Sequence, residues 1–79
     1  MNIRFSKSAL RALTRSGKRA LIRQKISELA DDPQSLQANV IRLQGREEFR
    51  LRIQDWRVIF RIEDGILWID DIGPRGSVY

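Results

Sequence analysis

Between Phe49 and Ile62 the sequence alternates with a period of two residues, broken once at Gln54-Asp55. Phe49, Leu51 and Ile53 fall on one side, with Arg50 and Arg52 on the other. After the break, Trp56, Val58, Phe60 and Ile62 oppose Arg57, Ile59 and Arg61. A period of two is the signature of a half-buried strand, and a two-residue polar break between such runs is a hairpin turn. With the turn at Gln54-Asp55, Ile53 faces Trp56, Arg52 faces Arg57, Leu51 faces Val58 and Arg50 faces Ile59. The apolar pairs then share one face, and a slip of one residue would send them all to solvent. Something made from the rest of the chain must cover that face.

The preceding residues supply the cover. Residues 2–5 predict a short opening strand with Ile3 and Phe5 on one side. Ser6 is a fair N-cap for a helix spaced by Ala9, Leu10 and Leu13, which Ser16-Gly17 ends. A second helix is expected from Lys18 to Ala30, with Leu21, Ile22, Ile26 and Leu29 as its apolar stripe. Pro33 closes it, because proline disfavours helix at the residue before it. Residues 33–39 read as a polar loop. Val40, Ile41 and Leu43 predict a short strand interrupted at Gly45, and Asp64-Gly65 a second hairpin turn. The last strand is expected over Ile66–Ile72, broken by Gly73-Pro74. Seventy-nine residues hold one domain, 1–79. The fold expected is α+β: an N-terminal strand, a two-helix hairpin, then an antiparallel sheet with the helices packed on one face. The other sheet face is left open to solvent or a ligand.

Composition narrows the chemistry. The chain has no cysteine and no histidine. That excludes a disulfide framework, a thiolate nucleophile and a Ser-His-Asp triad, and removes the commonest metal ligand. No metal and no cofactor are expected. No window approaches the roughly 20 apolar residues that cross a bilayer, and basic residues interrupt the first fifteen, so a cytoplasmic location without membrane contact is expected. The net charge is +5, and twelve of the 15 basic residues are arginine. Arginine offers a rigid, permanently charged fork that fits phosphate or carboxylate in a bidentate way.

The hairpin register gives that bias a location. Arg52 and Arg57 stand opposite one another on the uncovered face, with Arg50 diagonal to Arg57. Like charges so placed cost from a few tenths to about 1 kcal/mol, which an arriving anion would offset. The alternative is a plain solvated face, with Glu48 opposite Arg61 and Asp70 nearby. Charge is also uneven along the chain. Residues 1–30 carry eight basic groups and one acid, +7; residues 31–79 carry seven basic groups and nine acids, −2. Most of the excess therefore lies on the helices, as a second surface attractive to nucleic acid or as an ordinary solvated face.

Taken in order, the segments carry a resemblance. The opening strand followed by "FSKSALRAL" (5–13), "ISELADDP" (26–33), "RLQG" (42–45), "FRLRIQDWRVIFRIEDG" (49–65) and "IGPRGSVY" (72–79) resemble the RelE/ParE superfamily of bacterial toxins. The similarity spans essentially the whole chain. It is most specific in "LRIQDWRVIF" and in the closing Gly-x-Arg…Val-Tyr. The resemblance implies a toxin of a type II toxin–antitoxin system, held inactive by a cognate antitoxin whose acidic, amphipathic segment wraps it. The helix pair, with its apolar stripe, is the expected dock. Operator DNA would be reached only through that antitoxin.

The RelE-like branch consists of ribosome-dependent endoribonucleases that cut messenger RNA, so ribosome and messenger RNA are the partners it implies. By position the family's catalytic region falls on Arg50, Arg57, Arg75 and Tyr79, with Arg52 and Arg61 as nucleic-acid contacts. Arg50 stands where the well-equipped nucleases resemble one another in having lysine. Such cleavage lets a 2′-OH attack its own 3′ phosphate through a phosphorane with added negative charge. Arg57 and Arg75 would clamp the phosphate oxygens, and Arg52 would steady a neighbouring phosphate. Residues 31–79 contain no lysine or histidine, and arginine does not give up its proton at neutral pH. Tyr79, its phenol lowered by nearby arginines, is the expected base; Glu47 or Glu48 could assist, and the spacing selects neither. Trp56 is expected in the core. The alternatives are a ParE-like module that inhibits DNA gyrase without catalysis, and a toxin remnant that only binds antitoxin.

Overall fold

The computed structural model describes residues 1–77. Strand β1 (Asn2–Phe5) leads into helices α1 (Lys7–Arg15) and α2 (Arg19–Asp31), then a 3-10 helix over Pro33–Asn39. Strands β2 (Val40–Arg42), β3 (Phe49–Ile53), β4 (Trp56–Glu63) and β5 (Ile66–Pro74) follow. They form one five-stranded sheet in the order β1-β5-β4-β3-β2. The four strands after the helices pair antiparallel, as their hairpin turns require. β1 adds to the free edge of β5 in parallel, Ile3 beside Leu67 and Phe5 beside Ile69, which makes the whole sheet mixed.

Both helices lie on one face. Ala9, Leu13, Ile22, Ile26, Leu29 and Ala30 pack against Leu51, Ile53, Val58, Phe60, Leu67, Ile69 and Ile72, all nearly inaccessible to solvent. Leu13, Ile22, Val58, Leu67 and Ile69 retain essentially no exposed surface. The apolar stripe of α2 is therefore consumed by the sheet, and it is not free to receive a partner. Trp56 packs half-buried against the same core, as its register position predicts. Phe49 and Phe60, paired across β3 and β4, stack with centroids 5.5 Å apart.

Capping explains where the helices begin. The Ser6 hydroxyl accepts the Ala9 amide at 3.0 Å, satisfying one of the free donors of the first turn of α1. The same hydroxyl donates to the Asp70 carbonyl at 2.8 Å, and the Ser6 amide to the Ile69 carbonyl at 2.9 Å. One serine thus joins the start of α1 to the middle of β5.

Two expectations are corrected. Residues 33–39 are not a loop: Pro33 opens the 3-10 helix, the Asp32 side chain accepts the Gln34 amide, and Leu36 packs against the core. Asp-Pro at a helix start is a known signal, since proline's missing N–H costs nothing there. Nor does Gly73-Pro74 break β5. The strand runs on to Pro74, pairing Gly73 with Arg57 and Pro74 with Trp56. Beyond Ile69 β5 has no β1 partner, so a proline at the strand's end disturbs no central ladder. No helix among the described residues is long and apolar enough to cross a membrane.

Burial separates two neighbouring leucines of α1. Leu13→Ala opens a cavity in the core and is expected to cost about 2–5 kcal/mol. Leu10→Ala, at a position 45% exposed, is expected to stay within about 0.5 kcal/mol of the parent. Urea denaturation of the two variants checks both.

Candidate functional site

The register of β3 and β4 is the one expected from alternation: Ile53 opposite Trp56, Arg52 opposite Arg57, Leu51 opposite Val58 and Arg50 opposite Ile59. Leu51, Ile53 and Val58 are buried beneath the helices, so the arginines stand on the uncovered face. The turn between the strands is tight. Gln54 takes φ 53, a left-handed conformation that glutamine rarely adopts and that costs of order 1–3 kcal/mol. Two arginines hold the turn in place. The Arg57 guanidinium donates from Nη1 to the Gln54 carbonyl at 2.9 Å and to the Trp56 carbonyl at 3.0 Å. The Arg75 amide donates to the Asp55 carbonyl at 2.6 Å, bringing the segment after β5 against the same hairpin. Gly76, at φ 91, makes the bend that follows, and Ser77 closes it on the Pro74 carbonyl.

Arg50, Arg52, Arg57 and Arg75 form one electrostatic group. Burial, and then the charges of Arg50, Arg52 and Arg75, push the Arg57 guanidinium below its ordinary value, opposed by Asp55. None of the four has a carboxylate ion-pair partner among the described residues. Arg61 is different. Its Nε donates to Asp70 at 3.0 Å and its Nη1 to Glu63 at 3.1 Å, and its guanidinium lies 5.0 Å from the Trp68 ring centre. Burial lowers its affinity for the proton, but Asp70 and Glu63 outweigh that and raise it. Arg61, expected with Arg52 as a nucleic-acid contact, is thus paired with two carboxylates of the protein itself.

Asp70 owes its position to a bulge. β4 and β5 pair Ile59 with Asp71 but Phe60 with Ile69, so Asp70 is an extra residue on β5. The two carboxylates Asp70 and Asp71, with Glu48 and Ile59, line an open cavity of about 500 Å³ on the uncovered face, walled also by Arg46, Gly76 and Ser77. Ile59 is buried there. Arg46 pairs with Glu48. Asp70 and Glu48 share a hydrogen bond. It lowers Glu48 against the effect of burial, with help from Arg46. Burial, then the bond to Glu48, raises Asp70 against the pull of Arg61.

Of the expected site residues, Arg50, Arg52, Arg57 and Arg75 come together and Arg61 lies apart at the acidic end. Tyr79 lies outside the described residues. Of Glu47 and Glu48, Glu48 lines the cavity. Asp70 and Asp71 were missed as cavity residues. Their signal was present: the buried positions Leu67, Ile69 and Ile72 are spaced two and then three apart, so one residue had to be extra.

With this geometry established, comparison with known proteins places the chain. Residues 3–79 match the family model described as "ParE toxin of type II toxin-antitoxin system, parDE". The chain belongs to that family, within the RelE/ParE superfamily of toxins of type II toxin–antitoxin systems. Among solved structures it is similar to the RelE–RelB complex of Pyrococcus horikoshii OT3. That likeness has a TM-score of 0.79 and 25% identity over 98% of this chain and 97% of that one. It is also similar to the intact Escherichia coli RelBE complex, with TM-score 0.77 and 18% identity over 96% and 98% of the two chains. YafQ of E. coli BL21(DE3) follows, with TM-score 0.75 and 15% identity over 99% and 97%. No curated protein sequence matches significantly.

Arg52→Gln is expected to stabilise the fold by a few tenths to about 1 kcal/mol by relieving like charge across the hairpin. The gain should shrink in about 1 M salt, where the screening length falls to roughly 3 Å. Denaturation midpoints at two salt concentrations check this. For the carboxyl pair the signs are opposite. Asp70, raised in the fold, contributes fully below the unfolded carboxyl range, and that contribution is lost as pH rises through its folded value. Glu48, lowered, contributes above that range and loses its contribution as pH falls. Asp70→Asn should therefore abolish the high-pH loss and keep the low-pH one. The urea midpoint measured from about pH 3 to about pH 8 tests the sign.

Proposed function

We propose that this toxin is an endoribonuclease that cuts messenger RNA on the ribosome, with the arginine group on the open sheet face as its phosphate site. One observation carries the reading: four guanidinium groups held together with no carboxylate paired to any of them among the described residues. Such crowding opposes folding, and a polyanion is the natural ligand to relieve it. The attack is that of a ribose 2′-OH on the adjacent phosphorus. The bond to the 5′-oxygen breaks and a 2′,3′-cyclic phosphate remains. Arg57 and Arg75 are assigned to the non-bridging oxygens, where charge grows in the transition state. Arg50 stands in the family's lysine position and adds positive charge, while Arg52 receives a neighbouring phosphate.

Proton transfer falls to Tyr79, with Glu48 assisting. Glu48 lines the cavity on the open face together with Gly76 and Ser77.

A second reading is favoured by a specific observation. The matching model is that of ParE toxins, and residues 31–79 hold no lysine or histidine. In that reading the arginine face binds DNA gyrase and no bond is cut.

Primer extension on transcripts minutes after induction, without antitoxin, separates the two. Cuts within translated codons that vanish when initiation is blocked are expected. Arg57→Ala and Arg75→Ala should each lower cutting by about two to three powers of ten, as loss of a transition-state donor does elsewhere, while each purified variant keeps the folded circular-dichroism spectrum of the parent. Growth arrest with intact transcripts and gyrase-dependent DNA damage would establish the second reading instead.

A further inference from the structure

The arginine group has a neighbour of opposite character, the cavity of about 500 Å³ on the same face. Ile59, its buried apolar floor, follows Arg57 at the next position on that face of β4 and pairs with Arg50 across β3. Same-face neighbours on a strand are roughly 7 Å apart. Gly76 and Ser77, which form a wall, follow Arg75 without a break. Three of the four arginines therefore border the cavity, while the residues that line it are Ile59, Gly76, Ser77, Arg46 and three carboxylates.

Those carboxylates are not equivalent. Glu48 is paired with Arg46, and Asp70 with Arg61. Asp71 has no ion-pair partner among the described residues. Its Oδ1 accepts the Ile72 amide at 2.9 Å, which holds the side chain in place and leaves Oδ2 without a donor among the described residues. No group of acidic side chains among those residues could hold a metal ion. A phosphate is repelled by the carboxylates. A neutral, flat group with N–H donors on its edge is not, and a nucleobase is such a group. A volume of about 500 Å³ falls within the roughly 300–1,000 Å³ of small-molecule sites.

The choice among bases follows from the acceptor. An ionised carboxylate accepts and never donates. Guanine presents two adjacent donors, N1–H and its 2-amino group, which match the fork of a carboxylate. Adenine and cytosine present one amino group beside a ring acceptor. Uracil presents one N–H between two carbonyls, whose oxygens would face the carboxylate. We infer that the cavity is a guanine subsite: the base of a nucleotide whose phosphate lies on the arginine group rests on Ile59 and donates from N1 and its 2-amino group to Asp71. The inference rests on the nuclease reading above and adds the base that lies beside the cut.

The test uses the full toxin and three fluorescein-labelled pentanucleotides, with guanine, hypoxanthine or uracil at the centre of four deoxyuridines. Their sugars are 2′-deoxyribose throughout, so none can be cut by a 2′-OH, and fluorescence anisotropy reads their affinities at low salt. The guanine strand should bind roughly ten- to a hundredfold more tightly than the uracil strand, the scale of a bidentate base contact. Hypoxanthine, which lacks the 2-amino group, should fall between them. Asp71→Asn keeps an oxygen for the Ile72 amide but has no carboxylate. It should keep the parental circular-dichroism spectrum and lose the ordering of the three strands. Equal affinity of the parent for all three, or no binding of any, overturns the subsite, as does an ordering that survives Asp71→Asn. Hypoxanthine binding as tightly as guanine overturns it without recourse to any variant. In cells, transcript ends should carry guanine at one fixed position beside the cut, and cuts without that bias overturn the subsite while leaving the nuclease reading intact. Intact transcripts overturn the nuclease reading, and the place of this base beside a cut falls with it.

Discussion

A sheet covered on one face only is the constraint from which the rest of this molecule follows. Two helices of nine and 13 residues supply enough apolar surface for one layer and no more. The chain therefore has to be amphipathic at the level of every strand. The uncovered face is free of packing demands, and the sequence uses that freedom to place charge where most sheets would avoid it. Because the apolar half of each strand is locked under α1 and α2, the charged half is locked too. Arg52 cannot step away from Arg57 without pulling Leu51 and Val58 out of the core. The binding energy of the core thus holds the guanidinium groups in a crowded, preorganised arrangement.

The uncovered face is polar in a second sense. Arginines gather at the Gln54-Asp55 end, and carboxylates at the other, where Glu48 and Asp70 line one cavity beside Arg61. The bulge at Asp70 is the device that divides them. Without the extra residue, alternation would place only one of the two adjacent aspartates on this side. Ser6 fixes the bulge from below, through its hydroxyl and amide, and the same hydroxyl starts α1. A residue chosen to cap a helix therefore also decides which carboxylates reach the face.

The hairpin register was legible from the sequence because two independent signals agreed: the period of two and the length of the break. Helix positions were legible to within a residue, since Ser6 and Pro33 mark ends by their own backbone chemistry. The parallel pairing of β1 with β5 was not, because it joins residues far apart in the chain and leaves no local trace. The 3-10 helix was missed because a polar composition outweighed the Asp-Pro start. Arg50, Arg52, Arg57 and Arg75 were placed by register and resemblance, and geometry brings them together. The Arg61–Asp70 neighbourhood was open to alternation as one of two readings of this face, but the bulge that brings both Asp70 and Asp71 to it depends on a contact from Ser6, far away in sequence.

That long-range pairing also sets an order of events during synthesis. β1 is made first, and the strand it must lie against spans residues 66–69. Until then Ile3 and Phe5 have no sheet edge to join, and Ser6 has no bulge to hold. Arg75, whose amide clasps the hairpin turn, emerges later still. A nascent chain can form its helices early, but the face that carries the charge is assembled only after nearly all of it has left the ribosome. The helical side of the molecule can therefore take shape well before the charged face behind it is complete.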